Sequence, residues 1–248
     1  MSESIIDTLR AAGCVFAEDE AQLLISAAST PAELADMVEQ RAAGVPLEYV
    51  VGWAEFCGLR IAVEPGVFVP RRRTEFLVRE AIALAAPGSV VVDLCCGSGA
   101  LGAALVASVP GAELYATDLD PVAVRCARRN VPRVYQGDLF EPLPATLRGR
   151  VDVLLANVPY VPSGAVALLP TEARNHEPRT ALDGGPDGLD VLRRVAADAV
   201  SWLAPPGQLL TETSEDQAPL AVEVLAGHGL RADVVTSDEA TVVIGRAA

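Results

Sequence analysis

The sequence predicts a doubly wound α/β fold, with a small helical domain in front of it and a β-hairpin linking the two. Three observations carry this. From about residue 74 onward, short β-branched runs alternate with helical stretches, the pattern of a parallel sheet covered on both faces. The first of those runs, Val90-Val91-Val92, ends in Asp93 and a loop of small residues that opens a helix. Ahead of all this, residues 1 to about 45 carry helical apolar spacing and no strand signal. The chain has 248 residues, 51% of them hydrophobic, which suits one main domain with a small accessory region.

In the N-terminal stretch, Ile5, Ile6 and Leu9, then Leu23 and Leu24, have helical spacing. Thr30-Pro31-Ala32-Glu33 is a helix start, with Thr at the cap, Pro at the first turn and Glu three residues after the cap. Leu34, Met37 and Val38 give that helix an apolar face, and Gly44 and Pro46 end it. Tyr49-Val50-Val51 and Leu59-Arg60-Ile61-Ala62-Val63 read as strand-like runs around Cys57-Gly58, hence a hairpin. Further on, Leu114–Thr117, Arg133–Gln136, Val151–Leu155 and Gln208–Thr211 read as strands. Residues 99–108, 120–129, 187–203 and 215–228 read as the helices between them. Ala232–Val235 and Thr241–Ile244 are expected to form an antiparallel hairpin at the sheet edge. The domain boundaries expected are 1–45, 46–70 and 71–248.

Composition excludes some functions. Net charge is −14, whereas a non-specific nucleic-acid binder needs a basic surface to displace phosphate counterions. Residues 1–62 hold ten acids against three arginines, so half of the net charge lies in a quarter of the chain. That is either a solvated helix face or a docking surface for a basic partner. All 19 basic residues are Arg, which rules out a lysine base or Schiff base. The five cysteines, Cys14, Cys57, Cys95, Cys96 and Cys126, form no C-x-x-C pattern, so free thiols are expected rather than disulfides or a metal site. The start is acidic and no run of 18 apolar residues occurs, so a cytoplasmic protein without a membrane span is expected.

The loop Asp93-Leu94-Cys95-Cys96-Gly97-Ser98-Gly99 sits where an α/β sheet binds ligands, at the carboxyl end of a strand. Gly97 and Gly99 let a ligand approach the backbone. Such a loop alone also fits a dinucleotide site. Two carboxylates favour S-adenosylmethionine. Asp93 would face the ligand's cationic amino group and repel a diphosphate. Asp118, 25 positions later at the end of the next strand, is placed to accept both ribose hydroxyls. Asp138, after the third strand, can accept from an adenine amino group, with Leu139 against the ring.

At the end of the fourth strand stands Asn157-Val158-Pro159-Tyr160. It resembles the Asn/Asp-Pro-Pro-Tyr motif of amino-methyltransferases. An amide or exocyclic amine is a poor nucleophile because its lone pair is delocalised. Acceptors aimed at its hydrogens orient it, and the Asn157 side-chain oxygen and the Val158 carbonyl suit this task. The Tyr160 ring can pack on the flat acceptor group.

More of the chain narrows the resemblance. Glu177-Pro178-Arg179-Thr180-Ala181-Leu182-Asp183-Gly184-Gly185-Pro186-Asp187-Gly188-Leu189 is similar to a signature of the HemK/PrmC family, the release-factor glutamine methyltransferases. Pro46–Gly52 with Glu55-Phe56 resembles that family's interdomain hairpin. Pro70-Arg71-Arg72-Arg73-Thr74-Glu75 resembles its Pro-Arg-Pro-x-Thr-Glu segment, and Gly207–Glu212 with Gln217 its late strand and helix. The resemblance runs over about residues 5–246. Three positions depart from it: Cys95 for a loop Gly, Val158 for the first Pro of the tetrapeptide, and Arg72 for the middle Pro upstream. The family's five-helix N-terminal domain looks shortened here.

The resemblance implies a Rossmann-like class I S-adenosylmethionine-dependent methyltransferase. Its expected reaction moves the methyl to a protein glutamine amide nitrogen, in the Gly-Gly-Gln loop of a class I peptide-chain release factor gripped partly by the N-terminal helices. The alternatives are an adenine or guanine amino-methyltransferase and a non-catalytic cofactor-binding paralogue. Candidate cofactor residues are Asp93, Cys95, Cys96, Gly97, Ser98, Gly99, Asp118, Asp138, Leu139 and Asn157. Asn157, Val158, Pro159 and Tyr160 are the candidates for binding the acceptor, with Asn157, Val158 and Tyr160 catalytic. No metal is expected. His176 reads as structural, and His228, before Gly229, as part of a helix end.

Overall fold

A computed structural model describes residues 2–247. Its N-terminal part is three helices, α1 (Ser2–Ala11), α2 (Ala17–Ala27) and α3 (Pro31–Ala42), packed around Leu9, Ala21, Leu24 and Met37. Thr30 caps α3 by accepting from the Glu33 N–H, and the Glu33 carboxylate accepts in turn from the Ser29 N–H at 2.7 Å. A one-turn helix α4 (Leu47–Val51) follows.

This corrects the strand-like reading of Tyr49-Val50-Val51. Leu47, Val50 and Val51 return to the helical cluster with a spacing of three and four, a helical period that β-branched composition disguised. Gly52 ends the turn at φ +80°, and Tyr49 is buried with its hydroxyl donating to the Val67 carbonyl at 2.6 Å. The hairpin's first arm is instead β1 (Trp53–Phe56), paired antiparallel with β2 (Leu59–Ala62). Cys57 (φ +50°) and Gly58 (φ +73°) form its turn, both in the left-handed region that a two-residue hairpin turn requires.

The rest is the predicted alternation. A short 3-10 turn (Arg72–Thr74) leads into α5 (Glu75–Leu84), then β3 (Val90–Leu94), α6 (Ala100–Ser108), β4 (Glu113–Asp118), α7 (Pro121–Ala127), β5 (Val134–Gln136) and β6 (Val151–Ala156). A long connection holding α8 (Thr171–His176) reaches α9 (Asp190–Trp202), β7 (Leu203–Thr213) and α10 (Ala218–Gly227). The chain closes with β8 (Leu230–Thr236) and β9 (Thr241–Ala247). Among the described residues the main sheet runs β5-β4-β3-β6-β7-β9-β8, parallel through β7, with β9 antiparallel to both β7 and β8. Each face carries its own core. Leu77, Ala81, Leu105 and Leu155 lie on one side, and Leu94, Leu154, Leu192 and Trp202 on the other.

Strand order reverses between β3 and β6, where register places Leu94 beside both Thr117 and Ala156. The chain therefore leaves three neighbouring strand ends in one crevice, the position at which open α/β sheets bind ligands. Among the described residues, no helix is long and apolar enough to cross a membrane, and all five cysteines are free.

Candidate active site

That crevice is a cavity of about 660 Å³. Asp93, Cys95, Cys96, Gly97, Ser98, Asp118, Asp138 and Leu139 line it from the ends of β3, β4 and β5. Asn157, Val158, Pro159 and Tyr160 line it from β6. Gly99 is the exception among the predicted residues. It stands at φ +77° as the cap of α6, and a Cβ there would meet Val131 at 3.1 Å rather than the cavity. Its glycine serves the turn and the packing of α6.

The loop is held by the carboxylates that the sequence singled out. Asp93, 1% exposed, accepts from the Gly102 N–H at 3.0 Å, tying β3 to α6. Burial pushes its carboxyl up to about 7, against the pull of that N–H and with a push from nearby Asp118. Asp118 accepts from the Gly97 N–H at 2.8 Å and the Asp120 N–H at 2.9 Å, so it shapes the loop as well as facing the cavity. Burial raises its pKa too. Cys95, at the loop position where a Gly was expected, takes φ +53°, a conformation that costs a side-chain-bearing residue about 1–3 kcal/mol. Asp138 is not free for a ligand alone, because Arg194 of α9 pairs with it at 2.6 Å.

Sequence reasoning missed Asn130. Its side-chain amide donates to the carbonyls of Ala62 and Ser98 and accepts from the Ala62 N–H, all at 2.8–2.9 Å. One residue thus joins the hairpin to the cofactor-side loop. An isolated Asn after a helix gives no sequence signal of such a bridge.

The Asn157–Tyr160 segment rests on a frame of distant residues. Val158 is 2% exposed and packs in the core with Leu94 and Leu189, so its side chain is a packing element besides its carbonyl. Tyr160 donates its hydroxyl to Glu212 at 2.9 Å and accepts from Arg73 at 2.8 Å, while the Arg73 Nε donates to the same Glu212 oxygen at 3.0 Å. Burial, then Glu212, pushes the Tyr160 phenol up to about 12, so it stays protonated at neutral pH. Gln217 donates to the Tyr160 and Asp187 carbonyls at 2.9 and 2.8 Å.

The glycine-rich stretch around 184–188 finds its reason here. A Cβ on Gly184 would stand 2.5 Å from the carbonyl oxygens of Pro159 and Gly188, and one on Gly188 would stand 2.2 Å from that of Tyr160. The Gly184 N–H donates to the Val161 carbonyl at 2.8 Å. These glycines let two backbones touch directly behind the tetrapeptide. Glu177, 7% exposed, accepts from the Val69 N–H at 3.1 Å and pairs with Arg71 at 2.5 Å, binding the linker after the hairpin to the same connection. His176 ends α8, and the His228 ring lies 2.8 Å from the Val224 carbonyl at the end of α10.

Residues 58–173 match the family model of the methyltransferase small domain. The release factor glutamine methyltransferase of Geobacter sulfurreducens is 38% identical over 208 residues, covering 80% of this chain and 72% of that protein. The chain belongs to the release factor glutamine methyltransferase family. Within reach of the family's sequences is also the 4-amino-L-phenylalanine/4-methylamino-L-phenylalanine methyltransferase of Streptomyces pristinaespiralis. It is 40% identical over 186 residues, 71% of this chain and 63% of that one. Among solved structures, the T. thermophilus 16S rRNA N2 G1207 methyltransferase aligns with a TM-score of 0.58 at 21% identity, over 79% of this chain and 50% of that chain. The shared fold is that of class I S-adenosylmethionine-dependent methyltransferases, and the strand order above agrees with it.

Proposed function

We propose that this chain transfers a methyl group from S-adenosylmethionine to the side-chain amide nitrogen of a protein glutamine, in the Gly-Gly-Gln loop of a peptide-chain release factor. The observation that carries the reading is the Asn157–Tyr160 segment, framed by the family's own glycine signature, on the cavity wall shared with the Asp93–Asp118 loop.

The cavity fits the cofactor. Asp93 is a buried carboxylate and Asp118 a half-buried one, neither with a cationic side-chain partner among the described residues, a setting that welcomes a ligand's cationic amino group and hydroxyls and repels a diphosphate. S-adenosylmethionine, when bound, supplies an electrophilic methyl on a sulfonium. Asp93, Asp118 and the loop around Gly97 would hold it, with Leu139 lining the adenine side. On the acceptor side, Asn157 and the Val158 carbonyl accept the N–H groups of the amide and orient its lone pair, a contribution of proximity and matched charge. Tyr160, kept neutral and held by Arg73 and Glu212, offers its ring as a wall against the planar amide.

The raised pKa of Asp93 makes cofactor binding pH-dependent. A folded carboxyl titrating at about 7 is protonated below that pH, and only its ionised form attracts a cation. Affinity for S-adenosylmethionine is therefore expected to fall as pH drops from 7.5 to 5.5, by at most about tenfold per unit, with proton release on binding. Titration calorimetry in two buffers of different ionisation heat measures both. A flat affinity with no proton release would remove Asp93 from the role.

The function itself is tested with methyl-labelled cofactor, offered with a full-length release factor and, separately, with transfer and ribosomal RNA. Label on the glutamine amide, located by mass spectrometry, is the expected result. Label on RNA alone would establish the nucleobase reading, and no label on either would favour the non-catalytic one. The net charge of −14 weighs against RNA.

A further inference from the structure

Arg73 has more donors than its protein partners use. Its Nε is committed to Glu212 and its Nη2 to the Tyr160 hydroxyl, while Nη1 has no hydrogen-bond partner among the described residues. The side chain lines the cavity and is 46% exposed, yet the carboxylate that anchors it is 2% exposed. A guanidinium pinned at one edge by a buried carboxylate presents its other edge in a fixed direction, with little rotamer freedom left to lose on binding. The Nη2–Tyr160 contact places this guanidinium on the Tyr160 side of the cavity.

Charge decides what it takes. Each arginine on the cavity wall has its own carboxylate: Arg71 with Glu177, Arg73 with Glu212, Arg194 with Asp138. Asp93 and Asp118, also on the wall, have no cationic side-chain partner among the described residues and face the cofactor in the reading above. With a carboxylate already on each of these arginines, the wall offers an acceptor's own carboxylate no uncommitted guanidinium charge, whereas a neutral oxygen needs only a free N–H. Only two methylene groups separate a glutamine's amide from its α-carbon, so an amide held against Tyr160 brings its main-chain carbonyl close to Arg73.

We infer that the free edge of Arg73 binds the main-chain carbonyl of the acceptor glutamine, so that the site selects a glutamine inside a peptide chain over a free amino acid. The inference rests on the protein-glutamine reading given above. Arg73 is then a specificity residue, and Glu212 positions it. The arginine occupies the variable place of the Pro-Arg-Pro-x-Thr-Glu pattern, so the contact belongs to this chain's own sequence rather than to the shared motif.

The test uses the whole enzyme with two peptides around Gly-Gly-Gln, one natural and one with the glutamine main-chain carbonyl replaced by a thioamide, a weaker acceptor of nearly the same shape. Free L-glutamine is the third acceptor. The unaltered enzyme is expected to show a KM lower for the natural peptide than for the thioamide, and little turnover of free glutamine. Arg73→Lys keeps a cation beside Glu212 but loses the fork. Its KM for the natural peptide should rise by about ten- to a hundredfold, with kcat changing much less, cofactor affinity unchanged by calorimetry, and the two peptides no longer distinguished. Equal KM values for the two peptides with the unaltered enzyme overturn the inference whether or not the variant folds, as does free glutamine used as well as peptide. If the unaltered enzyme methylates neither peptide nor intact release factor, the protein-glutamine reading fails and takes this inference with it. Peptide turnover without discrimination fails the inference alone.

Discussion

Asn157→Ala is expected to lower kcat by about 10²–10³, far more than it changes cofactor affinity, with thermal stability close to that of the unaltered chain. Asn157 is half-buried on the cavity wall, at the end of the strand that neighbours Asp93 in register. Its proposed work is to hold an amide whose lone pair is otherwise unavailable, so removing it costs rate before it costs binding. Val158→Ala gives the opposite signature. The residue is 2% exposed and packs against the β3 and α9 cores, so truncation should destabilise the fold by roughly 1–3 kcal/mol, from lost burial and a residual void, and leave the carbonyl in place. Steady-state kinetics and denaturant melts on both variants separate the roles. If Asn157→Ala keeps its turnover, or if Val158→Ala loses rate without losing stability, acceptor orientation is not organised by this segment as proposed.

The legible part of this molecule is the part written in local pattern. Strands of a parallel sheet are buried on both faces, so β3 and β6 show as mostly apolar runs, broken only by Asp93 and Asp152, and the loop between β3 and α6 shows as small residues after an acid. The same logic misled at Tyr49-Val50-Val51, where β-branched residues sit in a helical turn because Tyr49 reaches Val67 and its neighbours reach the N-terminal helices. The first half of β7 lay outside the expected Gln208–Thr211, because the strand begins at Leu203 and runs through Pro205 and Pro206, which carry no strand signal. Within the site, Asp93, Asp118 and Asn157 were visible because each ends a strand. Arg73, Glu212 and Gln217 were not visible as parts of one frame, nor Asn130 as the bridge from hairpin to loop. Arg73 and Glu212 lie 139 positions apart, and no periodicity reports a contact made only after the sheet has assembled.

Gly184→Ala carries the second large effect, and it comes from a residue that touches no ligand. Gly184 has an ordinary backbone conformation, so strain from a left-handed φ plays no part. What a methyl would meet is main chain: the carbonyl oxygens of Pro159 and Gly188 at 2.5 Å and the Gly188 carbonyl carbon at 2.8 Å. A flexible side chain can swing aside, but these are main-chain atoms, and the backbone just beyond Pro159 is held by the Gly184–Val161 and Gln217–Tyr160 hydrogen bonds. The Pro159 carbonyl is therefore pushed outward, and Asn157 and Tyr160 move with it. Overpacking of this kind costs about 1–3 kcal/mol in stability, and a displacement of roughly 1 Å at a reacting group costs on the order of 10²-fold in rate. The expected result is a folded but less stable protein that binds cofactor and has lost most of its kcat. Gly164→Ala is the matched control in the same connection. Nothing lies within 4 Å of its added methyl and its φ is not positive, so its activity and melting temperature should match those of the unaltered chain. If Gly184→Ala were as active as Gly164→Ala, the backbone contact behind Pro159 would not be what holds the tetrapeptide in place.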